Sequence, residues 1–101
     1  MNIDDVSRAA SALDDVRESS RTGLRRWTLA GRLIARQLDD QSIVIRTEFD
    51  KRERLVRAHP QTFHVPPRFE AHMMVAVRLP DADPEAVAGA LHAAWVLQTG
   101  S

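Results

Sequence analysis

The stretch Arg25-Arg26-Trp27-Thr28-Leu29-Ala30-Gly31-Arg32-Leu33-Ile34-Ala35-Arg36 constrains this chain more than any other. Two short apolar runs lie on either side of one glycine. Gly31 can enter the left-handed backbone region at no steric cost, so the pattern predicts a tight β-hairpin. Every charge in the stretch is an arginine, so the predicted ribbon is also locally cationic.

Two registers fit that hairpin. A three-residue turn with a bulge at Gly31 puts Trp27 opposite Leu33 and gives Arg26, Thr28, Arg32, Ile34 and Arg36 a common face. A two-residue loop of Ala30 and Gly31 puts Leu29 opposite Arg32 and mixes charge with apolar bulk on both faces. The first separates polarity better and is the preferred expectation.

Around the hairpin the chain alternates between element types. Asn2 is a suitable N-cap with Asp5 three residues on, and Ile3, Val6, Ala10 and Leu13 share one helical face. Asp14 and Asp15 end that helix, and residues 16–20 form a short first strand. Strands follow at about 25–30, 33–38 and 42–47, the last marked by Ile43, Val44 and Ile45. Asp39, Asp40 and Gln41 form the hairpin loop before it.

Asp50, with Glu53 at capping-box spacing, predicts the start of a second helix that His59-Pro60 closes. Residues 62–65 and 72–79 read as strands. Asp83 before Pro84 and Glu85 starts a third helix, with Val87, Leu91, Ala94 and Trp95 along one face and Gly100 as its stop. The order predicts a single α+β domain over residues 1–101. It is a two-layer sandwich, an antiparallel sheet of about five strands covered by three helices on one face. Val6, Leu13, Val87, Leu91 and Trp95 should meet beneath the first and last helices, leaving the other sheet face more open.

Composition bounds function mainly by exclusion. The chain has no cysteine, which removes disulfides, thiolate metal sites and cysteine nucleophiles. No run approaches the ~18 apolar residues of a membrane span. Met1-Asn2-Ile3-Asp4-Asp5 lacks the basic and apolar regions of a signal peptide, so a cytoplasmic protein is expected. The four histidines are scattered, and His64 and His72 without a nearby carboxylate pair make a poor metal site. No glycine-rich phosphate loop of Walker or dinucleotide type is present. The reading is a non-enzyme with no metal and no cofactor. Asp4-Asp5, Asp14-Asp15 and Asp39-Asp40 sit at element boundaries as caps and turns, and Trp27 and Trp95 read as core anchors.

Formal charge sums to zero but alternates along the chain: −3 over residues 1–16, +5 over 17–36, −3 over 37–50, +4 over 51–78 and −3 over 79–101. The most cationic segment contains the ribbon. Arg25, Arg26, Arg32 and Arg36 are therefore the candidate nucleic-acid contacts, set against the plainer reading of a solvated outer face.

The element order, with Asp5-Val6-Ser7-Arg8-Ala9-Ala10, residues 27–35, Phe63-His64-Val65-Pro66-Pro67, Met74-Val75-Ala76-Val77-Arg78-Leu79 and Ala94-Trp95, resembles the MmcQ/YjbR family of small bacterial proteins. The resemblance covers about residues 5–97. It departs from the family at Leu13-Asp14, at Arg21-Thr22-Gly23-Leu24, and in residues 68–72, which hold no glycine. It implies a double-wing α+β domain, similar to frataxin-like and secretion-chaperone-like folds, of a kind commonly labelled DNA-binding. Double-stranded DNA is the partner it implies. The alternative is a protein partner received on the open sheet face or an edge strand, as in chaperones of similar fold.

Overall fold

A computed structural model describes residues 1–100. Helix α1 (Ile3–Ser11) leads into four consecutive strands, β1 (Val16–Arg21), β2 (Leu24–Leu29), β3 (Arg32–Asp39) and β4 (Ser42–Arg46). Helix α2 (Phe49–Ala58), strands β5 (Phe63–His64) and β6 (Met74–Arg78), and helix α3 (Pro84–Thr99) complete the chain. The six strands form one antiparallel sheet in the order β1-β2-β3-β4-β6-β5. This is the expected α+β sandwich with one strand more than the five or so expected.

The helix starts follow local chemistry. Asn2 and Asp5 cap each other reciprocally at 2.9 Å, satisfying two main-chain donors at the open end of α1. Asp83 accepts from the Glu85 N–H at 3.0 Å, with proline at the first helical position of α3. The predicted Asp50–Glu53 box is absent. The N-cap lies two residues earlier, at Glu48, which makes no side-chain cap bond, and α2 begins at Phe49. Phe49 lays its ring 4.8 Å from the Arg52 guanidinium, a contact within the first turn that a boundary at Asp50 would leave outside.

The main core lies between the helices and one sheet face. Val6, Trp27, Ile34, Ile43, Ile45, Phe63, Val75, Val77, Val87 and Leu91 are buried together there. Leu13 and Trp95 pack against them, as do Leu55 and Val56 of α2. The indole N–H of Trp95 donates to the Asp14 carbonyl at 2.9 Å, fastening α3 to the end of α1.

The opposite sheet face is only partly open. Residues 66–72, including a 3-10 turn at Pro67–Phe69, fold back so that Phe69 buries against Val44, Met74 and Ala76, with Leu33 and Leu38 beside them. Arg52 holds this strap from α2. Its Nη1 donates to the carbonyls of Phe69 at 3.2 Å and His72 at 2.8 Å, and its Nη2 to that of Glu70 at 3.2 Å. A buried cation thus ties together three strap carbonyls, of which those of Phe69 and His72 also accept main-chain bonds from His72 and Met74.

Candidate nucleic-acid interface

The β2–β3 hairpin forms with a two-residue loop, not the bulged turn preferred from sequence. Ala30 and Gly31 take φ of +50° and +80°, and Leu29 pairs with Arg32. The bulge lies deeper, in β3. Thr28 pairs with Leu33 and Trp27 with Ala35, so Ile34 is the extra residue. Ile34 and Ala35 both bury in the main core, which is what the bulge accomplishes beneath the helices.

That displacement divides the four candidate arginines between the two faces. Arg25 turns to the helix side, where its Nη1 donates to Ser7 at 2.8 Å and pairs with the Asp4 carboxylate at 3.0 Å. Arg32 reaches the end of α3 and donates to the Gln98 carbonyl at 3.0 Å. Ile34 is buried in the core and so does not share a face with Arg36. Only Arg26 and Arg36 stay on the open face, as directly paired residues of β2 and β3. The hairpin is also not a free ribbon, because β1 pairs along β2 and β4 along β3. It cannot enter a groove as an isolated two-stranded unit.

Strand alternation brings other arginines to the same face. Arg17 and Arg21 of β1 pair with Thr28 and Leu24, putting both on the side of Arg26. Arg46 of β4 and Arg78 of β6 alternate with Ile45 and Val77, whose side chains point into the main core. Six arginines from five strands thus occupy one sheet face: Arg17 and Arg21, Arg26, Arg36, Arg46 and Arg78. Among the described residues none of the six forms an ion pair with a carboxylate. The Nε atoms of Arg26 and Arg46 are buried and lack a hydrogen-bond partner. Arg36 and Arg68 flank the Phe69 ring at 5.8 and 4.7 Å, so the strap helps position cations as well as covering apolar surface.

Asp39 and Glu18 are engaged by other donors, while Glu70 belongs to the strap over this face and Asp81 lines a pocket with Arg78. Asp39, at the β3–β4 turn, accepts from the Gln41 N–H and the Ser42 hydroxyl at 2.8 Å each. The Gln41 bond is the main cause holding its carboxyl below the usual range, with Arg68 adding a smaller pull. Glu18 lies on the helix side, where bonds from Ser7 and from the Trp27 indole N–H, the latter at 2.8 Å, keep its carboxyl low. Partial burial, and secondarily the Arg78 charge, pushes the His64 imidazole below its ordinary value. At neutral pH His64 therefore adds little charge to the face.

From sequence, Arg17 and Arg21 stand beside Ser19-Ser20 as a weaker anion candidate, set against a polar loop and not joined to the ribbon, and Arg46 and Arg78 are missed, because the four are spread over about sixty residues of chain. Each does carry one usable signal, a place in strand alternation with neighbours that point to the helix side. Trp27 is fully buried and cannot stack on a base. Among the described residues no three His, Cys, Asp or Glu side chains gather to hold a metal ion, and no helix is long and apolar enough to cross a membrane.

No family model matches the chain, and no curated protein matches it. Among solved structures it is similar to the Deinococcus radiodurans protein DR2400, which carries a DUF419 domain. The TM-score is 0.77 at 19% identity, over 96% of this chain and 78% of that one. At this identity the likeness shows the fold. DUF419 is related to the MmcQ/YjbR fold, in keeping with the resemblance drawn from the sequence.

Proposed function

We propose that this chain is a member of the MmcQ/YjbR family and binds double-stranded DNA weakly, by phosphate contacts from its open sheet face. One observation carries the reading: six arginines on one face with no carboxylate partner among the described residues. Unpaired guanidinium groups on a firm β-surface match phosphate oxygens in charge and in planar fork geometry. The opposite layer is mixed in charge: α1 and the start of α3 carry Asp4, Asp5, Asp83 and Glu85 against Arg8, while α2 carries Lys51, Arg52, Arg54 and Arg57 against Asp50 and Glu53.

Salt dependence tests this directly. With about four phosphates met at once, the log–log slope of affinity against salt is about −3.6, at ~0.9 per phosphate. Changing Arg26, Arg36 and Arg46 together to serine should flatten the slope by about two to three units, while Arg25→Ser with Arg32→Ser should leave it unchanged. A protein partner is the competing reading. It is favoured by the outer edge of β1, which ends the sheet and is exposed from Arg17 to Arg21. Failure to retain any duplex at low salt would give that reading the lead.

A further inference from the structure

The open face contains one place where two adjacent strands part. β2 and β3 pair as far as Arg26 and Arg36, and there the main-chain ladder stops. The Gln37 carboxamide takes over: its Oε1 accepts from the Arg25 N–H at 3.0 Å, and its Nε2 donates to the Asp39 carbonyl at 3.1 Å. At this split lies a cavity of about 140 Å³, lined by Arg21, Thr22, Leu24, Arg26 and Arg36 together with Gln37 and Arg25.

Three features of the cavity agree. None of its lining residues is a carboxylate. Arg26 and Arg36 stand directly opposite each other across the strands, an arrangement of like charges that costs stability and that neighbouring strands normally avoid. The Arg26 Nε–H is buried and has no acceptor among the described residues. Arg25 and Gln37 are already committed, to Asp4 and Ser7 and to the main chain respectively. Arg21, Arg26 and Arg36 are left facing the cavity with unspent donors. The volume equals about four to five waters at ~30 Å³ each, room for one tetrahedral oxyanion with its ester link.

We propose that the split between β2 and β3 is a discrete seat for a single phosphate group, bound by Arg21, Arg26 and Arg36. The seat rests on the phosphate-contact reading above and deepens it, by separating one defined site from diffuse contacts across the face. The outer guanidinium nitrogens of Arg26, Arg21 and Arg36 donate to the phosphate oxygens. The bound anion relieves the repulsion between Arg26 and Arg36, and Leu24 shields one side from water, which strengthens each charged bond. The phosphate can belong to a nucleic-acid backbone or to a free phosphate monoester.

The test uses the full chain, labelled with ¹⁵N, titrated with inorganic phosphate at constant ionic strength against chloride. The expected result is a saturable shift of the Arg26 and Arg36 Nε–H signals and a melting midpoint that rises with phosphate. Arg26→Gln and Arg36→Gln should each weaken phosphate binding at least tenfold, and Arg78→Gln should leave it unchanged. An equal, unsaturable response at Arg17, Arg46 and Arg78, or an equal response to chloride, overturns the seat. A duplex arm separates the two claims. Saturable phosphate binding with no duplex binding even at low salt upholds the seat for a free phosphate monoester and refutes the DNA reading. Salt-dependent duplex binding with no preferential phosphate response at Arg26 refutes the seat and leaves the DNA reading standing.

Discussion

Replacing Arg26 with threonine should make the protein more stable while weakening its hold on polyanions. Arg26 faces Arg36 directly, and like charges so placed destabilise a strand pair by roughly 0.2–1 kcal/mol. Its Nε–H is buried without an acceptor, a defect worth about 1–3 kcal/mol when a donor is wholly desolvated. Only part of that applies here, because Arg26 is half-buried and its outer nitrogens reach solvent. Against these gains stands lost packing of the aliphatic stem, about 0.5–1 kcal/mol. Threonine keeps the β-branched preference of a central strand. The net is a gain of about 1 kcal/mol, a rise of ~4–8 °C in melting midpoint for a domain of this size. The assay is thermal denaturation followed by circular dichroism in low-salt buffer free of phosphate and sulfate. Phosphate or duplex DNA should then raise the parent's midpoint and leave that of the variant nearly unchanged. A midpoint that falls, or an unaltered response to phosphate, would refute the claim that this guanidinium is kept for binding at a cost in stability.

Three further outcomes follow from the packing. Leu91→Asp puts an unpaired charge where α3 meets the sheet, and the loss of more than ~4 kcal/mol should unfold the domain or leave it barely folded; an unchanged melting curve would mean that α3 does not bury this face. Arg52→Met removes three hydrogen bonds to the 66–72 strap and should cost about 2–4 kcal/mol in urea denaturation, with faster hydrogen exchange in the strap than in β4. His64 is held neutral in the folded state, so its contribution is present above the unfolded value of 6.5 and is lost as pH falls through the lower folded value. Stability should therefore decline as pH falls below 6.5, and His64→Gln should flatten that decline; identical pH profiles for parent and variant would contradict it.

Local chemistry in the sequence determined much of this fold. The Asn2–Asp5 box, the Asp83-Pro84 start, the Ile43–Ile45 run and the glycine turn each depend on residues a few positions apart, so short windows carry them whole. The strand at Val16–Arg21 was the weakest in the sequence because as an edge strand it buries almost nothing and shows little apolar alternation.

The candidate site was legible only in part. Arg26 and Arg36 could be picked out, but their separation from Arg25 and Arg32 turns on where a single extra residue falls. The helices decide that, by burying Ile34 and Ala35 together beneath the core. The joining of Arg17 and Arg21 to Arg46 and Arg78 follows from the strand order, which brings β6 beside β4 across an intervening helix and strap. Residue type and alternation are local properties and can be read from the chain. Which face a charge occupies, and which charges it meets there, depends on register and strand order, and those are set by the burial of apolar surface across the whole molecule.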